Sequence, residues 1–336
     1  MYDRSKKLET EILKILKKAT KPVGSTFITE ELAVSGIDTN ERTVRFHLRR
    51  LDEEGLTRKV SRRTGRIITE RGMTELEGVN IMGRLGFIVS KIDGLSYNMD
   101  FDLVKGEGAV VMNFSLLPAE HLLRALDEIE MAFASGLGMG KMALIKKPGE
   151  KIGNSVVPEG KIGIGTVCSV TLNGVLLKLG VPVLSRFGCL IRMENGQPVC
   201  FTEMVDYLGT TVDPLEVFLR AGMTSVGEAS RGRSGVIGAS FREVPIVAGN
   251  GIETIHKKLD RLGLAGIIAV GKPNQPLLNM PVNEGMIGIA VVGGLNPIAA
   301  VHETGIPTES AALHSLVSYS ELDSFEKLRP HVLNMI

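Results

Sequence analysis

Lys147–Val170 reads KPGEKIGNSVVPEGKIGIGTVCSV, and Lys272–Leu295 reads KPNQPLLNMPVNEGMIGIAVVGGL. At a constant offset of 125 residues the two share Lys147/Lys272, Pro148/Pro273, Asn154/Asn279, Val157/Val282, Glu159/Glu284 and Gly160/Gly285. The identities continue through Ile162/Ile287, Gly163/Gly288, Ile164/Ile289 and Val167/Val292, and the same offset joins Gly180 to Gly305 and Pro182 to Pro307. So many ungapped matches mark an internal repeat. Once gaps are allowed, Gly108 matches Gly235, Phe114 matches Phe241, and DPLE at Asp213 matches DSFE at Asp323. The body, residues 81–336, is therefore read as containing two related halves, about 84–222 and 223–336.

Each half repeats one order of elements. A strand (GAVVMNFSLL; GVIGASFREVPI) precedes a helix (119–134; 252–262). Two strands follow (MALIKK and KIGIGTVCSV; GIIAVGK and MIGIAVVG), then a short helix and a chain that resumes at PVL or PTES. This is the β-α-β-β-α-β order of ferredoxin-like folds. The expectation is an α+β body whose two halves pair about a pseudo-two-fold axis, with a cleft where they meet.

Residues 1–80 follow a different logic. Leu8, Ile12, Ile15 and Leu16 recur at helical spacing, and Lys21-Pro22-Val23-Gly24 breaks that helix. A second helix fits Ser25 to Val34, capped by Ser25 or Thr26. A third runs from about Asn40 to Glu54, with Thr39 or Asn40 as cap and Gly55 as stop. Val44, Leu48 and Leu51 form its apolar face, and Arg42, Thr43, Arg45 and Arg49 its polar one. LTRKV, the turn SRRTG and RIIT then make a hairpin, and a helix from Glu70 to Val79 closes the unit. Three helices and a basic hairpin give a winged helix-turn-helix. In that fold the third helix enters the major groove and the wing touches the backbone. The expected DNA contacts are Arg42, Thr43, Arg45 and Arg49, with Arg62, Arg63 and Arg66 on the wing. His47, beside Val44 and Leu48, reads as packing, and so does Phe46.

Charge follows the same division. The first 80 residues hold 17 Lys/Arg against 13 Asp/Glu, yet the whole chain is only +1. A cationic head on a mildly acidic body suits a polyanionic partner. One such head reads one half-site, so a two-fold symmetric double-stranded operator and a homodimer or larger homo-oligomer are expected. Cys168, Cys189 and Cys200 contain no paired spacing for zinc or a disulfide framework. No apolar run reaches the roughly 18 residues of a membrane span. The expectation is a cytoplasmic protein without membrane contact.

The best ligand candidate is TVCSVTLNG, where a strand runs into a helix start. Thr166, Cys168, Ser169, Thr171, Asn173 and Gly174 there offer hydroxyls, an amide and free helix N–H groups, which suit a carboxylate or phosphate. The matching VVGGLNPIAA has Gly293-Gly294 for close backbone approach and Pro297 in the first turn. Arg186, Arg192 and Arg231 are available cations for a dianion. GLGMGKM (136–142) has the wrong spacing for a phosphate loop, there is no HExxH, and no histidine stands near Cys168 in sequence. Neither catalysis, a metal nor a bound cofactor is expected.

GKIGIGTVCSVTLNG, GVIGASFREVP and VGGLNPIAAVHETG, behind a winged helix, resemble the archaeal NrpR family of nitrogen-regulation repressors known from methanogens. The likeness covers nearly the whole chain. It implies a DNA-binding repressor of nitrogen-assimilation genes, 2-oxoglutarate as the effector that weakens DNA binding, and a dimeric effector domain. The effector site is carried over only to 166–174. Two other functions remain open on the residues alone. One is a winged-helix regulator that senses another small ligand such as an amino acid, and the other is a metabolic enzyme with a DNA-binding head.

Overall fold

Amphipathic spacing builds the first unit, residues 1–85, and a glycine-rich pair of sheets builds the second, 86–336. The structure is a computed structural model that describes residues 4–19, 21–61, 65–82, 86–153 and 155–333.

In the first unit α1 (Arg4–Lys18), α2 (Ser25–Val34) and α3 (Glu41–Glu53) precede the hairpin β1 (Thr57–Ser61) and β2 (Gly65–Ile68), and α4 (Glu70–Met82) closes it. Ile12, Leu16, Ile28, Leu32, Val44, Leu48 and Leu51 form its core. Each such side chain contributes about 1.5–3 kcal/mol on burial. Asn40 caps α3 by accepting from the Thr43 N–H at 2.9 Å. The expected cap of α2 is different: Gly24 holds that position, and the Ser25 and Thr26 hydroxyls donate instead to Glu41. Val23 exchanges backbone hydrogen bonds with Arg66, which joins the α1–α2 linker to the wing. A Cβ on Gly65 would lie 2.2 Å from the Val23 carbonyl oxygen at a φ of +96°, so only glycine fits there.

The second unit opens with α5 (Phe87–Asn98), β3 (Ala109–Pro118), α6 (Leu122–Ala134) and β4 (Met142–Lys146). A small hairpin, β5 (Lys151–Ile152) with β6 (Ser155–Val156), leads to β7 (Lys161–Val167), α7 (Val170–Lys178), β8 (Leu184–Glu194) and β9 (Gln197–Asp206). Next come α8 (Pro214–Arg220), α9 (Val226–Ser230), β10 (Gly235–Pro245), α10 (Gly249–Arg261), β11 (Ile267–Val270) and β12 (Met286–Val292). The chain ends with α11 (Asn296–Glu303), β13 (Glu309–Ser318), β14 (Asp323–Ser324) and α12 (Leu328–Leu333).

Two antiparallel five-stranded sheets result, in the orders β13-β3-β7-β4-β14 and β11-β12-β10-β8-β9. The expected stretches 84–222 and 223–336 do not each close a sheet. β8, from the first, pairs with β10 of the second, and β13 returns to pair with β3 of the first. The reason is geometric. The connections after α7 and α11 are short, and each carries the chain directly to the other sheet, where β8 lies between β10 and β9 and β13 takes the edge beside β3. The registers nevertheless correspond: Phe114 faces Gly165 as Phe241 faces Ala290, and Ser115 faces Ser310 as Arg242 faces Ser185. Gly163 and Gly288 lie against Phe114 and Phe241 in the same way, with Val157 and Val282 alongside.

Candidate functional site

In the first unit, α3 turns Val44, His47, Leu48 and Leu51 inward. That leaves Arg42, Arg45, Phe46 and Arg49 exposed along one face at i, i+3, i+4 and i+7. Phe46 is 65% exposed, so it belongs to this face and not to the core. Arg45 donates to Glu41 at 2.5 Å and to the Ser25 hydroxyl at 3.2 Å. Hydrogen bonds from Ser25 first, then from Arg45, hold the Glu41 carboxyl below its ordinary range. Thr43 donates its hydroxyl to the Asn40 side chain. Arg66 is turned inward: its Nε donates to Asp52 at 2.8 Å, and it staples β2 to the end of α3. Arg62 and Arg63 lie outside the described residues. His47 is buried, as expected, with its Nδ1 2.9 Å from a Glu9 carboxylate oxygen.

In the second unit the ligand-site candidates of 166–174 are buried, and most of them point to four different neighbours. Thr171, at the first turn of α7, fastens both the N–H and the C=O of Val111 on β3, each at 3.1 Å. Asn296, at the first turn of α11, fastens the N–H and C=O of Gly238 on β10, each at 2.9 Å. Gly174 lies against Met99. Asn173 donates to the Ser185 hydroxyl at 2.8 Å, while its Oδ1 has no partner. Asn173 also lines an open pocket of about 270 Å³ with Asp93, Ser96, Tyr97, Leu177 and Val183. Thr166 takes a long 3.5 Å contact from Asn113, whose carbonyl oxygen accepts from the Leu313 N–H.

Ser169 is the exception. Its carbonyl and its hydroxyl oxygen each accept from the Arg242 guanidinium at 2.8 Å. Arg242 sits on β10 of the other sheet, so this contact ties the two sheets at the start of α7. Burial lowers its pKa from the ordinary arginine value. The three cations named from sequence are engaged elsewhere: Arg186 with Glu243 at 3.1 Å, Arg192 with Glu194 at 3.2 Å, Arg231 with Glu128 at 2.6 Å. Sequence reasoning passed over Arg242. The available signal was a lone arginine amid small and apolar residues in GVIGASFREVP.

Cys168 lies beside this contact. Burial pushes its thiol up to about 11, opposite to what a nucleophile needs. Among the described residues no cluster of His, Cys, Asp and Glu has the makings of a metal site, and no helix is long and apolar enough to cross a membrane.

Comparison with known proteins matches both units. A family model described as NrpR regulatory domains NRD1 and 2 covers residues 85–324, and one described as the ribonuclease R winged-helix domain covers 10–76. Global nitrogen regulator NrpRI of Methanosarcina mazei is 36% identical over 312 residues, 93% of this chain and 96% of that protein. Global nitrogen regulator NrpR of Methanococcus maripaludis is 33% identical over 95% of this chain and 56% of its own length. The same-named protein of Methanocaldococcus jannaschii is 35% identical over 100% of this chain and 57% of its own. The chain thus spans just over half the length of these last two. The crystal structure of a nitrogen repressor-like protein from Methanococcus jannaschii aligns with a TM-score of 0.60 at 29% identity, over 71% of this chain and 98% of that one.

Proposed function

The chain belongs to the NrpR family of nitrogen regulators, and from that premise we propose that it represses nitrogen-assimilation genes by binding DNA and that 2-oxoglutarate relieves the binding. The observation that carries the DNA half is the exposed Arg42–Arg45–Phe46–Arg49 face on the third helix of a winged-helix unit. Guanidinium groups on that helix reach guanine edges and phosphates in the major groove. The partner is a two-fold symmetric duplex, and a homodimer supplies the second reading head. The protein acts in the cytoplasm and catalyses nothing.

The second unit is the sensor. Its matched registers and matched first-turn anchors, Thr171 and Asn296, support a diverged duplication of a ferredoxin-like half with exchanged final strands. The effector is a small dicarboxylate held near Ser169 at the start of α7. It favours one arrangement of the paired sensors over another, and only that differential affinity drives release of the operator. A mobility shift on the promoter of a nitrogen-assimilation gene, with and without 2-oxoglutarate, tests the reading. An unshifted promoter, or a shift indifferent to 2-oxoglutarate, contradicts it.

An amino acid effector is the second reading. The pocket lined by Asp93 and Asn173 favours it, since a carboxylate accepts from an ammonium group. Calorimetry with glutamine and glutamate beside 2-oxoglutarate separates the two.

A further inference from the structure

Arginine stays charged at every physiological pH, so burying it without an anion is among the more costly things a fold does. Arg242 is 2% exposed. Arg186, Arg231 and Arg329, all more exposed, each hold a carboxylate within 3.1 Å. Arg242 holds none: its two terminal nitrogens rest on neutral oxygens of Ser169. Its Nε has no partner, and neither has the Ser240 hydroxyl two residues along the same face of β10. Both side chains are more than nine-tenths buried. The groups whose charges act on Arg242 are Tyr207, Cys168 and Cys189, and burial keeps all three protonated at neutral pH. Asp213 lies in the same cluster, but its carboxylate caps α8 through the Leu215 N–H.

The matching place in the other half is unlike this one. There Gly294 stands where Ser169 stands, and Ser115, bonded to Ser310 at 2.8 Å, stands where Arg242 stands. The unpaired cation therefore exists once, in one of two otherwise corresponding junctions, and no feature of the shared fold demands it.

We propose that Arg242 is the anion receptor of this chain: a carboxylate of a small ligand accepts from Arg242 Nε and the Ser240 hydroxyl, beside Ser169 at the start of α7. This rests on the reading of the second unit as a sensor and deepens it. Because β10 and β7, the strand that leads into α7, belong to different sheets, the ligand bridges them. Since Arg242 and Ser240 are both sealed, the anion reaches them only as the surrounding segments part. Tyr207 and Pro214 lie against Gly188, which faces Ser240 on the adjoining strand. Binding and movement between the sheets are then one event.

The test is calorimetry on the full chain with 2-oxoglutarate, glutarate, succinate and glutamate, for the wild type, Arg242→Met and Ser240→Ala. Arg242→Met is expected to keep or raise the melting temperature without ligand and still to shift promoter DNA. Its affinity for the carboxylate that the wild type binds best falls at least about a hundredfold, and Ser240→Ala loses about fivefold. Wild-type affinity in folded Arg242→Met overturns the proposal, as does a wild type that binds none of the four acids. If Arg242→Met does not fold, Arg242→Lys decides: it keeps the charge but not the Nε donor, and undiminished affinity overturns the proposal. A wild type that binds glutarate or glutamate but not 2-oxoglutarate refutes the effector named above and leaves the Arg242 comparison to be read with the acid that binds.

Discussion

At Val167–Thr171 and again at Val292–Asn296 the chain leaves a central strand and enters a helix in the same way. In both, the first residue past the strand donates to the opposite strand, Cys168 N–H to Val111 and Gly293 N–H to Gly238, each at 2.8 Å. In both, a side chain of the first turn clamps that same backbone residue. The difference lies between these anchors. The second junction uses Gly294, packed against the Val167 carbonyl, to bring the two junctions together. The first uses Ser169 to meet a buried cation from the other sheet. The second junction is a site of close backbone contact, and the first carries polar chemistry. Two junctions built on the same backbone pattern thus differ in what their first-turn residues meet.

The largest expected effect breaks the comparison at its closest contact. A Cβ at Gly294 would lie 2.1 Å from the Val167 oxygen and 2.6 Å from the Asn113 side-chain nitrogen. Gly294→Ala is therefore expected to cost about 3 kcal/mol or more, read as a large fall in melting temperature. Ser169→Ala, at the matching position, strands one Arg242 donor and is expected to cost less, about 1.5 kcal/mol. Equal losses would show that the two junctions are not differently employed.

Acidity gives a comparably large effect on one side only. Burial raises the Asp213 carboxyl from 3.8 to about 6. The folded chain thus binds this proton more readily than the unfolded one, and its contribution to stability declines as pH rises from about 4 to about 6. Asp213→Asn keeps an acceptor for the Leu215 N–H, removes that decline, and is expected to be more stable than wild type at pH 7 by about 3 kcal/mol. Chemical denaturation at pH 4.5 and 7 checks it, and a parallel pH dependence in the two proteins would refute it.

Thr171→Val and Asn296→Ala sharpen the likeness. Each strands a buried backbone pair, and each is expected to cost about 1–3 kcal/mol and to lower the melting temperature by a similar amount. A loss confined to one would mean the anchors are not equivalent. The smallest effect lies away from the junctions. Arg45→Ala is expected to weaken operator binding about tenfold, less than Arg42→Ala or Arg49→Ala, because Glu41 already shares the Arg45 charge. Calorimetry should find its effector affinity unchanged.

Much of this was legible in the sequence. Helical periodicity and the Asn40 cap delimited the head, and the repeated KP…EG·IGI pattern placed the paired strands. Strand exchange was not legible, because periodicity says which face of a strand is buried and not which neighbour it meets. α5 was missed because Gly94 and its β-branched residues weaken the local signal, and its stability comes from packing Ile88 and Ile92. Arg66 reads as a wing cation until Asp52, distant in sequence, is seen beside it. Arg242 was hidden for a like reason. Its significance lies in a missing partner, and a missing contact has no sequence motif.

The central claim is that a dicarboxylate sensed in the second unit governs DNA binding by the first. Fluorescence anisotropy of a labelled duplex from a nitrogen-assimilation promoter, titrated with the full chain with and without 2-oxoglutarate, tests it directly. The account predicts saturable binding that weakens steeply with salt and falls by about tenfold or more with 2-oxoglutarate. Identical binding curves with and without the acid would contradict it.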